Sequence, residues 1–379
     1  MPGTFSRTEP TIAEKLLHLN WALVALVVVT ACVGFAMLYS AANGDLSPWA
    51  SRQMLRFGIG FVIMLVVAVV DLKFWFRFAY PAYAVALALL GAVEIMGSVG
   101  MGAQRWLDLG FMRLQPSEIM KVSLVLALAR YFHGIDNEDV GRLLYLVAPV
   151  LLVGAPTFLV LKQPDLGTAV VLAMIGGALF WLAGVRVWQF VAVGAATLAA
   201  IPIVWKSLHG YQQQRILTFI NPETDPLGAG YHILQSKIAL GSGGVFGRGF
   251  LQGTQSHLNF LPEKQTDFIF TMLAEEFGLA GGLGLVMLYL MLMIYGVAIS
   301  LRARSQFGRL LAAGLTTSFF LYVFINIAMV MGLLPVVGVP LPLISYGGTA
   351  MLTVMVGFGL IMSVYLHRDL MINRRGVAH

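Results

Sequence analysis

Apolar runs separated by polar or Gly/Pro-rich joints recur ten times along the chain, at residues 21–39, 57–71, 78–96, 117–132, 144–161, 166–184, 188–206, 267–299, 308–334 and 345–366. A helix needs about 20 mostly apolar residues to cross the hydrocarbon of a bilayer. A membrane barrel would instead alternate in segments of about ten residues, which runs such as LVLALA and VGFGLIMSV exclude. The pattern predicts an all-α integral membrane protein, ten transmembrane helices forming one domain over residues 1–379.

The joints are unequal. Residues 1–20 read as an interfacial lead-in, where TIAE fits a capping box opening a short helix. The first span follows a polar stretch without a small-residue cleavage site, so it is expected to stay as an anchor. Residues 207–266, between the seventh and eighth spans, form a large outer segment with Pro-Leu-Gly and Gly-Ser-Gly-Gly punctuation, and residues 367–379 form a tail. Outer segments of that length without regular structure are usually functional.

Composition strengthens the membrane reading: of 379 residues, 59% are hydrophobic and 11% charged, with mean hydropathy +0.83. A soluble domain carries about twice that charge. The single cysteine, Cys32, falls in the first span, so an intrachain disulfide is excluded and a small packing role is expected.

Charge distribution introduces an anomaly. With both termini inside, the joints KFWFR, GVRVW and RARSQFGR and the tail HRDLMINRRG fall inside, as the positive-inside rule requires. Counting the whole chain, thirteen of the 24 Lys and Arg lie inside or at inner span ends, but eleven lie outside, mostly within residues 97–121, 162–165 and 206–264. Topology gives no reason for those cations. An outer surface that handles an anion does.

Several constellations could carry chemistry. GSGGVFGRG lacks both the GxGxxG spacing and the GxxxxGK[ST] ending, which argues against a nucleotide cofactor, and no HExxH, CxxC or GxSxG occurs. What remains is ionisable residues at span ends, where charge is costly and often marks a substrate path. QPSEIMK places Glu118 and Lys121 on one helix face, either as a pair that merely neutralises itself or as part of a site. GAQRWLDLG sets Arg105 beside Trp106, an arrangement that suits a headgroup or a plain aromatic anchor. In LKQPDLGT, Asp165 is placed to cap the next helix, which leaves Lys162 unexplained. Glu94, alone in the third span, reads as a satisfied structural carboxylate.

TDFIF offers Thr266 or Asp267 as the N-cap of the eighth span. Glu275 and Glu276 follow about 12 to 13 Å along a continuous helix, which predicts a depth of one leaflet. Successive residues turn by about 100°, so the two glutamates face apart. Glu276 is expected to touch a neighbouring helix or partner and Glu275 to play at most a supporting part.

LPEKQTDFIFTMLAEEFG, NPETDPLGAGYHILQSKIALGSGG, LKQPDLGTA, GAQRWLDLG, QPSEIMK and GLLPVVGVPLPLISYGG together resemble the SEDS family, and the resemblance runs from the first span to the tenth. Within it, DPLGAGYHILQSKIALGSGG and LLPVVGVPLPLISYGG resemble the elongation branch rather than the division paralogue. The resemblance implies a peptidoglycan glycosyltransferase of the bacterial cytoplasmic membrane. It would polymerise lipid II at the outer face beside a class B penicillin-binding protein of the rod-shape elongation complex. The family's catalytic acidic residue falls on Asp267.

On that implication, the leaving group is undecaprenyl pyrophosphate, already stable as an anion, so it needs charge stabilisation rather than a protonating acid. Asp267 is then the general base on the acceptor 4-hydroxyl, and a position at a helix start favours its ionised form. Arg105, Lys121, Lys162 and Arg215 are assigned to the pyrophosphate or sugars, Glu118 and Asp165 to orienting those cations, and Gln235 and Ser236 to sugar contacts. A divalent cation, Mg or Mn, is allowed, but no spacing specifies its ligands. Two rivals stand beside this reading: a lipid II flippase or other transporter, and a scaffold without chemistry.

Overall fold

The computed structural model describes residues 11–373 apart from 101–102, 109, 111–112, 137, 208–209, 211–212, 214–216, 219–228 and 255–262. A short helix, α1 (Ile12–Leu17), opens with the expected capping box between Thr11 and Glu14. Seven long helices follow: α2 (Trp21–Ala41), α3 (Ala50–Val69), α4 (Leu72–Met96), α5 (Pro116–His133), α6 (Leu143–Lys162), α7 (Leu166–Ala183) and α8 (Val187–Ser207). After the shorter α9 (Ala229–Ser242) come α10 (Ile269–Arg302), α11 (Gln306–Val330) and α12 (Gly348–Leu366).

Eight of these are long and apolar enough to cross a membrane. Two more, α5 and α8, have span length as well; α5 carries Glu118, Lys121 and Arg130, and α8 is apolar over Val187–Pro202. Each predicted run lies on one of these ten helices, and the protein is an all-helical multi-pass membrane protein.

Ten crossings bring the two termini to the same end of the bundle, where the Arg304 amide donates to the Arg368 carbonyl at 2.9 Å. The opposite end carries the candidate site. Helix α3 starts seven residues before the predicted run because a helix does not stop where the hydrocarbon does, and its extra turns carry Gln53 and Arg56 to the site end. A three-stranded antiparallel sheet, β1 (Ser98–Gly100), β2 (Ala103–Asp108) and β3 (Arg113–Leu114), sits between α4 and α5. Hydropathy gave no hint of it, since strands this short make no run.

Helix α5 is buried along nearly its whole length. Pro116 in its first turn suits a helix start, where the missing N–H costs nothing. Its charges therefore face protein, as ionisable residues in a membrane must. Helix α8 is the opposite: residues 191–199 are all exposed, so this span stands away from its neighbours.

Two irregular stretches shape the site end. Residues 331–347 dip back into the bundle, with Leu341, Leu343, Ile344 and Ser345 buried. Helix α2 approaches them closely at Gly34, where a Cβ would lie 2.7 Å from Ile344 Cα.

The second irregularity is a break in α10. Gly278 has φ 66° and ψ −162°, so residues 269–277 and 279–302 are separate helical pieces. Residues 243–249 fill the gap: Arg248 and Gly249 amides donate to Glu275 and Glu276 carbonyls at 3.0 Å each. Leu279 and Ala280 amides donate back to Gly244 and Val245 carbonyls at 2.9 and 3.0 Å. Polar main-chain groups that a broken helix would expose are thereby paired.

This break corrects the expected depth of Glu275 and Glu276. At about 1.5 Å per residue, the piece beyond Gly278 crosses about 30 Å by itself. Both glutamates precede it and meet residues 243–254, so they lie at the site end of the bundle, each fully buried there. Their opposed orientation is as expected: Ser40 of α2 donates to Glu276, and Thr254 donates to Glu275 Oε1 at 3.2 Å.

Candidate active site

Asp267 lies in the turn of residues 263–268 that enters α10. The helix cap is Phe268, without a side-chain capping bond, so neither Thr266 nor Asp267 is the N-cap. Thr266 instead turns its hydroxyl back to Glu263, donating to the Glu263 carbonyl at 3.2 Å or Oε2 at 3.0 Å. That turn begins at Glu263 with φ 55° and spends its side chains on closing itself.

The main chain around Asp267 is fixed by the neighbouring elements. Asn326 of α11 donates through Nδ2 to the Asp267 carbonyl at 2.9 Å. Ser345 Oγ donates to the Thr266 carbonyl, and the Tyr346 amide donates to the Gln265 carbonyl at 2.8 Å. Gln53 of α3 braces the other side of that loop, its Nε2 donating to the Ser345 carbonyl at 3.0 Å. The Asp267 carboxylate rests beside Gly338, where a Cβ would lie 3.4 Å from Oδ2. Gly338 has φ 69°, which favours glycine in any case.

One turn along α11 from Asn326 is Tyr322, on the same face and about 6 Å away along the axis. Its hydroxyl donates to Glu118 Oε2 at 3.1 Å. Lys121 Nζ sits 2.7 Å from Glu118 Oε1 and 4.2 Å from the Tyr322 ring centroid. Glu118 and Lys121 are each 4% exposed. The predicted pair is real, and it lies one helical turn deeper than Asp267.

A third group approaches from α7. Asp165 caps that helix through the Thr168 amide at 3.1 Å, and its Oδ2 lies 3.5 Å from Arg105 Nε. Arg105 also donates from Nη2 to the Pro164 carbonyl at 2.8 Å. At Gly167 a Cβ would lie 2.5 Å from the Val337 carbonyl oxygen, so the start of α7 abuts the residue before Gly338. Arg105, Asp165, the Glu118–Lys121 pair and Asp267 therefore gather around one loop, residues 337–345.

Other expected residues stand apart. Lys162 is exposed, its Nζ 5.1 Å from the Phe158 ring centroid, and does not join Asp165. Ser236 is fully buried between Thr271 Oγ1 and the Val330 carbonyl, each at 2.8 Å, where it ties α9 to α10 and α11. Gln235 beside it is half-buried. Arg215 lies outside the described residues. Glu94 is exposed at the end of α4 rather than enclosed.

Sequence reasoning passed over Gln53, Arg56, Tyr322, Asn326 and Ser345. Arg56 holds its guanidinium 4.6 Å from the Tyr346 ring centroid, at the start of α12. Lys264, within the turn of residues 263–268, is 5% exposed, and that burial pushes its pKa down. An apolar cleft opens beside the Glu118–Lys121 pair, walled by Leu292, Leu315, Phe319, Val354 and Phe358. Among the described residues, no group of three His, Cys, Asp or Glu side chains converges as a metal cage.

A buried Lys–Glu pair, a half-buried carboxylate and an apolar cleft describe a site, not a family. The model of the FtsW, RodA and SpoVE cell cycle proteins matches residues 14–370. The chain belongs to this family. Peptidoglycan glycosyltransferase MrdB of Escherichia coli K12 is 47% identical over 97% of this chain and 99% of its own. A probable peptidoglycan glycosyltransferase FtsW of Trichlorobacter lovleyi is 35% identical over 92% and 94%.

Among solved structures of FtsW/RodA/SpoVE relatives, a chain of a peptidoglycan synthase complex that coordinates polymerization and crosslinking superposes with TM-score 0.81. It is 32% identical and covers 93% of this chain and 99% of its own. Thermus thermophilus RodA superposes with TM-score 0.71 at 29% identity, covering 93% and 98%.

Proposed function

We propose that this chain is a peptidoglycan glycosyltransferase of cell elongation, joining lipid II units into glycan strands with Asp267 as general base. The observation that carries it is the gathering of Asp267, the Lys121–Glu118–Tyr322 cluster and Arg105–Asp165 around one buried loop. Near-full-length identity to a peptidoglycan glycosyltransferase supports the same reading.

Asp267 takes the proton from the acceptor 4-hydroxyl as that oxygen attacks the donor's anomeric carbon. The glycosidic bond forms on the face opposite the departing undecaprenyl pyrophosphate, inverting the α-linked donor to a β-linked product. Lys121 and Arg105 place positive charge near the leaving group, with Glu118 and Asp165 holding them in position. Preset charge of this kind needs no reorganisation when the bond breaks. The prenyl chain suits the apolar cleft below the pair. A divalent cation, if bound, would be held by Asp267 and would supply charge stabilisation for the leaving group.

The site end then faces the periplasm or cell exterior, with both termini in the cytoplasm and the chain in the bacterial inner membrane. Its surplus cations meet an anionic lipid headgroup there. The partner is a class B penicillin-binding protein of the elongation complex, which crosslinks the nascent strands.

Purified protein with that partner, lipid II and magnesium tests the activity. Glycan strands resolved on a gel are the expected product. Transport of lipid II across vesicles without any polymer would favour a flippase instead.

A further inference from the structure

Asn326 is fully buried, and both of its amide hydrogens are committed to main-chain carbonyls at the site. Nδ2 donates to the Asp267 carbonyl at 2.9 Å and to the Val339 carbonyl at 2.7 Å. Its own Oδ1 is buried without a hydrogen-bond partner. A bare buried carbonyl is unfavourable, by the ordinary rule that buried polar groups are paired. An apolar residue would remove that bare oxygen but also take the donor from the Asp267 and Val339 carbonyls, so the amide's place here is to hold those two carbonyls.

The two carbonyls it holds belong to different elements. One is the residue that carries the carboxylate. The other follows Gly338, the residue against which that carboxylate rests. On the same face, one turn away, Tyr322 holds Glu118 and faces Lys121. A single rigid face of α11 thus fixes the carboxylate, the wall beside it and the ion pair below.

We propose that Asn326 is a positioning residue, which sets Asp267 at its working distance from the Lys121–Glu118 pair by clamping residues 267 and 339 to α11. The inference rests on Asp267 being the general base. Asn326 touches neither substrate nor the reacting atoms, and acts through the main chain. Misplacement of a base by about 1 Å can cost on the order of a hundredfold in rate. Substrate affinity, set by the cations and the cleft, does not depend on it.

The test compares Asn326→Leu, Asn326→Gln and Asp267→Ala in the full chain with its penicillin-binding partner, by steady-state lipid II polymerisation and thermal melting. Asn326→Leu is expected to lower kcat of the folded protein about ten- to a hundredfold, with KM within about twofold of wild type and a lowered melting temperature, because the Asp267 and Val339 carbonyls lose this donor. Asn326→Gln, which keeps the donor but moves it by one methylene, is expected to fall between Leu and wild type. If the Leu variant does not fold, a folded Gln variant with lowered kcat and unchanged KM still supports the clamp. Wild-type kcat in either folded variant overturns it, and so does a loss of activity that only follows loss of folded protein. An active Asp267→Ala would remove the base reading itself. An inactive Asp267→Ala beside a fully active Asn326→Leu would overturn the clamp alone.

Discussion

Tyr322 donates its hydroxyl to Glu118 Oε2 at 3.1 Å while its ring face lies 4.2 Å from Lys121 Nζ, so one side chain contacts both members of a buried ion pair. Removing one charge of such a pair leaves the other uncompensated, at about 3 to 5 kcal/mol. Losing a single bond to a charged acceptor costs about 1.5 to 3 kcal/mol. Lys121→Met should therefore melt well below Tyr322→Phe, and adding Glu118→Gln to Lys121→Met should recover much of the loss. The rescued double variant is expected to remain inactive in polymerisation. Restored activity would reduce the pair to a structural one.

Arg105 makes two contacts from a planar fork, to Pro164 and to Asp165. A lysine cannot reproduce that geometry. Because its side chain is 29% exposed, Arg105→Lys should change stability by less than about 1 kcal/mol. The expected effect is a KM for lipid II raised about tenfold, near 1.4 kcal/mol of binding. Wild-type KM would remove Arg105 from the substrate path.

Gly278 cannot take a side chain without a double penalty. Its φ of 66° with ψ of −162° is a region essentially reserved for glycine, and a Cβ would meet Gly247 N at 2.4 Å and Val245 O at 2.5 Å. Gly278→Ala should cost more than the about 1 to 3 kcal/mol of backbone strain alone. The displaced piece carries residues 269–277 and the turn before them, so polymerisation should fall as well. A melting temperature equal to wild type would contradict the docking of residues 243–249 into the break.

Lys264 offers a pH readout. Its folded pKa is lowered by burial from an ordinary value of 10.5. Between those two values the unfolded chain holds more protons, so stability rises with pH across that interval. Lys264→Met should flatten this alkaline rise in melting temperature while changing nothing near neutral pH in the slope. A rise that persists in the variant would assign it to another group.

How much of this was legible follows from which forces leave a mark on hydropathy. The ten spans were legible because crossing the bilayer demands long apolar runs, and no other demand erases them. The break at Gly278 was not. GLAGGLGL runs on from Gly278 as part of one long apolar run, and the positive-φ backbone and the distant 243–249 loop that make the break leave no mark on hydropathy. That single glycine accounts for the misplaced depth of Glu275 and Glu276. Arg105 and Lys121 announced themselves as cations that topology could not explain, Glu118 and Asp165 as charges at span ends beside them, and Asp267 through the family resemblance. Asn326, Gln53 and Ser345 are uncharged and sit in or beside apolar runs such as FINIAMV, where one polar residue barely moves the average. The cost of placing an amide in a span was the one signal that could have found Asn326.

The central claim is that Asp267 is the base, and one measurement addresses it directly. Wild type, Asp267→Ala and Asp267→Asn, each bound to the penicillin-binding partner, are given lipid II and magnesium, and glycan strands are resolved by length. Both variants are expected to stay folded and partner-bound, to bind lipid II about as well as wild type, and to make almost no polymer. Strands from either variant at the wild-type rate would contradict the assignment.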